Sequence, residues 1–172
     1  VGRMPTSEYV LRDGTRVPGV TTVIGASLGW NKDPLMKWAW RQGKLGKDFE
    51  KMRQKAADAG NLAHRMCECY LMDLPFEPQQ GVPLDVMARA HNGFAGFLRW
   101  FKQSKMKPMA CEFKLVSEKQ RVGGTPDVMF WDDGVVRLGD FKTSKRVYAD
   151  HLIQTVTYAD IVEEVLGIHC ES

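Results

Sequence analysis

Two short segments hold residues whose types and spacing suit chemistry on a charged substrate: Gly123-Gly-Thr-Pro-Asp127 and Gly139-Asp-Phe-Lys-Thr143, with Glu112 one strand earlier. Side chains alternate along a strand, so Asp140 and Lys142 are expected on one face, with Phe141 turned the other way into the core. A turn at Asp132-Asp133-Gly134 would fold Asp127 to Phe141 into a hairpin, and the ends of a hairpin bring Asp127 and Asp140 near each other. Two carboxylates that close repel unless a cation lies between them. A hard divalent ion with oxygen ligands, Mg2+ or Mn2+ and one or two of them, is the natural candidate. Such an ion sharpens a water nucleophile and neutralises charge on a phosphate oxygen, while a nearby lysine positions or deprotonates that water. This is the chemistry of phosphodiester hydrolysis. Each motif alone has a plainer reading: an Asp and a Lys two apart are a common solvated pair, and Gly-Gly-Thr-Pro-Asp is a good turn sequence.

The elements that must position these residues follow from periodicity and punctuation. Tyr9 to Val17 predicts a small hairpin about Asp13-Gly14. Asp33 as a cap and Pro34 at the first helical position predict a helix to about Gln42. Lys44 to Ala59 predicts another, with Leu45, Phe49, Met52 and Ala56 as its apolar stripe and a basic solvent face. Gly60 to Met72 continues in helical period, with Leu62, Met66 and Cys69 or Tyr70 inward, until Leu74-Pro75 and Pro78 end it. Pro83 to Phe101 is an aromatic-rich helix. Met109 to Val116 alternates loosely, Val128 to Trp131 and Val135 to Phe141 read as strands, and Ala149 to Leu166 is a helix that Gly167 terminates. Ile168 to Ser172 reads as a strand just beginning, as though the chain continues past Ser172. The expected class is mixed α and β (α+β): one domain, helical over about 33–104, with a small, mostly antiparallel sheet and a helix over about 109–167.

Length and composition agree with a single folded unit. The 172 residues are 44% hydrophobic and 26% charged, which excludes collagenous, low-complexity and disordered classes. No apolar run approaches the roughly 18 to 20 residues of a membrane helix, and Val1 to Arg12 lacks a signal-peptide pattern, so neither a membrane nor a secreted protein is expected. Cys67, Cys69, Cys111 and Cys170 lack zinc-finger spacing and fit a reducing cytosol. The net charge, 24 − 21 = +3, permits a nucleic-acid partner without demanding one.

Taken together, Pro126-Asp127 followed by Asp140-Phe141-Lys142 resembles the signature of the PD-(D/E)XK nuclease superfamily. Gly124-Thr-Pro-Asp127, Asp140-Phe-Lys-Thr-Ser144, a following helix with Gln154 and Tyr158, and Gly60-Asn-Leu-Ala-His64 are similar to its RecB-like and phage-exonuclease branch. The resemblance runs from about Val20 to Leu166, including Val20-Thr-Thr-Val-Ile24 as a Ser/Thr-containing turn. It implies a restriction-endonuclease-like core and a metal-dependent deoxyribonuclease, of the exonuclease type, in the bacterial or phage-infected cytoplasm. His64, Asp127, Asp140 and the Phe141 carbonyl would be metal ligands, Lys142 the catalytic lysine, and Glu112 a second-metal or outer-shell acid. Gln154 and Tyr158, i and i+4 on one helix, would face the site and the bound strand, with Thr143 and His151 as further substrate contacts. Tyr158 reads equally well as a core aromatic, and Glu112 as an exposed strand residue.

Some relatives bind a four-iron cluster through one upstream and three C-terminal cysteines; only Cys170 is C-terminal here, so no cluster is expected. Trp30, Trp38 and Trp40 suit either base stacking or the core, and the basic run Arg41 to Lys55 suits either a phosphate backbone or a solvated face. The implied partner is DNA, with a homo-oligomer or a recombination protein left open. Two rival readings stand: an inactive nucleic-acid-binding or assembly module of the same fold, and a sugar hydrolase pairing Glu112 with Asp127 or Asp140.

Overall fold

A computed structural model describes residues 8–28, 32–77, 80–144 and 146–171, and the side chains of 32–34 and 171 are not described. Expectations resting on Trp30, Pro78 and Ser172 therefore lie outside the described residues, as do the side chains of Asp33 and Pro34. The described residues divide into two compact units, one within 8–28, 106–140 and 146–171, the other within 32–77, 80–105 and 141–144. Among the described residues no helix is long and apolar enough to cross a membrane. The architecture is mixed α and β, as the sequence indicates.

The first unit begins with the Asp13-Gly14 hairpin, β1 (Tyr9–Val10) against β2 (Arg16–Val17). Gly14 takes φ +85°, and Thr15 N–H donates to Asp13 Oδ1 at 2.8 Å. Val20-Thr-Thr-Val-Ile24, expected as a turn, instead opens α1 (Val20–Ser27). Its β-branched residues are poor helix formers, but Val20 is buried in the core beside the C-terminal helix, and tertiary burial outweighs a propensity of a few tenths of a kcal/mol, about.

The main sheet runs β3 (Lys107–Cys111), β6 (Val128–Asp132), β7 (Val135–Gly139), β8 (Cys170–Glu171). β6 and β7 form the expected hairpin through Asp133 and Gly134, both at positive φ, the two-residue turn whose twist suits antiparallel strands. β8 pairs with β7 in parallel, because the chain reaches it only after crossing over through α5 (Ala149–Leu166). That helix has the predicted bounds, and Gly167 closes it at φ +67°. Its Ile161 and Val162 join Met129, Val136 and Leu138 of the sheet in one core.

Met109 to Val116 is not one strand. β3 stops at Cys111, Glu112 takes the left-handed φ of +49°, and a separate hairpin follows, β4 (Leu115–Ser117) with β5 (Val122–Gly124). Gly123-Gly124, which reads as turn, is this second strand. Glycine is weak in strands, yet here its bareness is used: a Cβ at Gly123 would lie 2.0 Å from Tyr9 Cγ, and one at Gly124 would lie 2.5 Å from Tyr158 Cε1. Ser117 pins the same hairpin by donating to Glu164 Oε2 of α5 at 2.6 Å. The strand then runs directly into Thr125-Pro126-Asp127. Gly124→Ala is expected to destabilise the fold by about 1–3 kcal/mol in urea titration, the usual cost of overpacking a core. Gly25→Ala, in α1 with open space around its Cβ position, should instead be neutral or stabilising.

The second unit is helical: α2 (Lys32–Lys44), α3 (Phe49–Leu71) and α4 (Leu84–Gln103). α2 starts at Lys32, one residue before Asp33. The helix expected from Lys44 to Ala59 is interrupted. Gly46 takes φ +65°, and Asp48 caps a new helix by accepting from Lys51 N–H at 3.1 Å. Leu45 is exposed in that break and drops out of the expected stripe. α3 then runs unbroken through Gly60 and packs Leu62, Ala63 and Met66 against Ala90 of α4; Cys69 is inward, whereas Tyr70 is exposed.

Candidate active site

Strand register assembles three acids at one end of the sheet. Cys111 pairs with Val128, and Val128 with Gly139, so Glu112, Asp127 and Asp140 are the next residues outward on three adjacent strands. Glu112 N–H donates to Asp127 C=O at 3.1 Å, which carries the ladder one step beyond β3. A carboxylate oxygen of Glu112 lies within 4.8 Å of one of Asp127. Asp127 is buried (8% exposed) behind Pro126, while Glu112 is exposed. Glu112 is thus a residue just past the strand, held in a backbone conformation that non-glycine residues seldom adopt.

The expected alternation of Asp140 and Lys142 on one strand face does not occur, because β7 ends at Gly139. Its partner β6 begins only at Val128, after Pro126, which has no N–H to extend a ladder, and β8 reaches only Val136 and Arg137. Among the described residues no strand pairs with the chain just beyond Gly139. Asp140 is oriented instead by α5: Gln154 Nε2 donates to Asp140 Oδ1 at 3.0 Å and to Tyr158 Oη at 3.1 Å. Asp140 Oδ2 is shut off from solvent. Gln154 and Tyr158 do share a face with Asp140, as i and i+4.

Tyr158 is both a core aromatic and a member of this network. Its ring belongs to the main core, and burial pushes its phenol up from 10 to about 12, a shift the Gln154 hydrogen bond opposes and the neighbouring Tyr9, Asp140 and Asp127 reinforce. The phenol therefore stays protonated at any physiological pH. Tyr9 Oη hydrogen-bonds Thr125 Oγ1 at 3.0 Å, bracing the turn before Asp127 from the N-terminal hairpin. Sequence reasoning missed Tyr9, and no local pattern marks a contact 116 residues away. His151, taken as a phosphate contact, is occupied at the start of α5, where its Nδ1 accepts from Tyr148 N–H at 3.4 Å and its ring meets the Tyr148 ring edge-on.

The second unit holds the other candidates. His64 is half-buried on α3, its ring 5.7 Å from and edge-on to that of Phe141. Phe141 also meets Phe97 of α4, with centroids 5.2 Å apart, so this phenylalanine packs among helices. Lys142 and Thr143 are exposed. Thr143 lies against two glycines: a Cβ at Gly60 would sit 3.4 Å from its Oγ1, and one at Gly93 3.4 Å from its Cγ2. Gly60 of the Gly60-to-His64 motif thus gives the Phe141–Thr143 segment room. Cys67 and Cys69 are buried thiols, and Cys69 Sγ donates to the Pro75 carbonyl at 3.6 Å.

The basic run divides. Lys51, Arg53 and Lys55 on α3 are paired with Asp48, Glu50 and Asp85, at 3.8, 2.8 and 2.9 Å. Trp38 is half-buried with its ring 5.1 Å from Phe49, whereas Trp40 is 61% exposed. Neither the protein-family models nor the curated proteins contain a match to this chain.

Chemically, the carboxylates of Glu112 and Asp127 are hard oxygen donors of the kind that suit Mg2+ or Mn2+. Carboxylates as close as Glu112 and Asp127 raise each other's energy when both are ionised, and a bound divalent cation removes that penalty.

Proposed function

We propose that this chain is a metal-dependent DNA nuclease, acting as an exonuclease in recombination, repair or phage DNA processing. The observation that carries the reading is the convergence of Glu112, Asp127 and Asp140 at one sheet end, with Gln154 reaching from α5 to fix Asp140. The motif resemblance adds His64 and the Phe141 carbonyl as ligands and Lys142 as the catalytic lysine. When bound, Mg2+ or Mn2+ would acidify a water and neutralise negative charge on the phosphate. Asp127 and Asp140 would be the carboxylates that hold the ion, Glu112 would supply outer or second-ion charge, and Lys142 Nζ would orient the attacking water or take its proton. Gln154 keeps Asp140 in one rotamer. Tyr158, neutral at working pH, accepts from Gln154 and so prevents its amide from turning away.

The test is degradation of end-labelled linear DNA beside a closed circle, with Mg2+ or Mn2+, and with Lys142→Ala as control. The expected result is loss of the linear substrate, survival of the circle, and no activity in the variant or in EDTA. Binding without cutting of either DNA, with both metals, would replace this reading by the inactive module of the same fold. Hydrolysis of sugars that survives EDTA would replace it by the carboxylate-pair hydrolase.

A further inference from the structure

Segment 34–47 carries four cations, Lys37, Arg41, Lys44 and Lys47, and no acid. On α2, Trp38, Ala39 and Gln42 are partly buried, while Met36, Lys37, Trp40 and Lys44 are exposed and follow one another along the outer face at helical spacing. Trp40 leaves 61% of its surface in water, and Lys44 Nζ stands 4.0 Å from its ring centroid. A large exposed ring within a cationic field marks a contact surface. The cations of α3 are spent on carboxylates of their own unit; among the described residues, Lys37, Arg41 and Lys44 meet none.

We infer that the Trp40 face of α2 binds single-stranded nucleic acid, with a base stacked on the Trp40 indole and backbone phosphates on Lys37, Arg41 and Lys44. An indole face with flanking cations is the combination that single strands select, because every base has a π face and every phosphate a charge. Lys37 and Lys44 are two helical turns apart, about 10 Å, so the cations span more than one nucleotide. A second copy of the chain fits worse, since a symmetric contact would set these cations against themselves. Leu35 and Met36 are exposed on the same helix and Leu45 just after it, so an anionic lipid surface is the competing occupant, and the vesicle arm of the experiment below separates it from the oligonucleotide. The inference deepens the nuclease reading and rests on it for the choice of polymer: it assigns a single-strand contact on the helical unit.

The experiment is fluorescence anisotropy of labelled oligothymidylate with the full chain in EDTA, where binding is read without cleavage. Trp40→Ala should weaken binding about tenfold, Trp40→Phe should retain most of it, and blunt duplex binding should be unchanged. Lys37→Ala with Lys44→Ala should lower the slope of log affinity against log salt by roughly 1.4. Oligothymidylate binding by Trp40→Ala equal to wild type would overturn the inference. So would an equal loss on duplex, a change in sedimenting mass, or lost binding to anionic vesicles in place of lost binding to the oligonucleotide. Because the assay needs no turnover, a Trp40 effect in a chain that never cuts DNA would sink the nuclease reading and leave this contact standing; an active chain without the effect would do the reverse.

Discussion

Asp140→Asn should reduce Mg2+-dependent cleavage at least on the order of 100-fold while leaving the unfolding midpoint nearly unchanged. The amide has the shape of the carboxylate, and its oxygen still accepts from Gln154 Nε2, so the hydrogen bond that orients the side chain survives. What disappears is the negative charge at the end of β7, beside Asp127 on the neighbouring strand. Changes to groups that merely support metal ligands cost about 10–100-fold, and a change to Asp140, a ligand in the proposed reading, should cost more. Gln154→Ala should fall in that lower range and raise the Mg2+ concentration required, because Asp140 would then be free to leave its rotamer. Combined with Asp140→Asn, it should add little, since the two residues act through one hydrogen bond. Measured rates and Mg2+ titrations for the four proteins decide this: additive losses would separate Gln154 from Asp140.

The largest effect on stability should come from Tyr158. Tyr158→Ala empties a buried site under Gly124 and next to Ile161 and Val162, and is expected to cost about 3–5 kcal/mol, a large part of a domain's total. Tyr158→Phe keeps the ring and removes the titration. The folded phenol holds its proton up to about 12, against 10 in the unfolded chain, so the folded state binds that proton more tightly. The resulting stabilisation is complete below pH 10 and is lost as the pH rises through 12. Its size is on the order of 2 kcal/mol. Urea titrations at pH 9 and 11.5 should show wild type losing more stability than Tyr158→Phe over that interval; equal losses would mean the phenol is not shielded by the fold.

Much of the frame is legible in the residues. Asp13-Gly14 and Asp133-Gly134 set their hairpins because few residues accept positive φ, and that preference is local. Ala149 to Leu166 announces both its period and its stop at Gly167. The adjacency of Asp127 and Asp140 follows from the same turn, since a two-residue loop leaves one register for the strands it joins. The cap at Asp48 was also written in the chain, but the long Lys- and Ala-rich pattern around it masks Gly46 and Asp48 as a boundary.

Tertiary structure alone decided the rest. Gly123-Gly124 has the composition of a turn and becomes a strand because two tyrosines far away in the chain, Tyr9 against Gly123 and Tyr158 against Gly124, lie on its bare Cα atoms. β7 stops before Asp140 because its neighbour starts late, which is a property of the pair and of Pro126, not of the residues Gly139 to Lys142. Trp38 and Trp40 are chemically the same side chain two positions apart; one packs on Phe49 and the other faces water, and only the placement of α2 beside α3 distinguishes them. Turn chemistry and periodicity are read over a few residues. Burial, strand ends and the orientation of Asp140 by Gln154 depend on groups that meet only after the chain has folded.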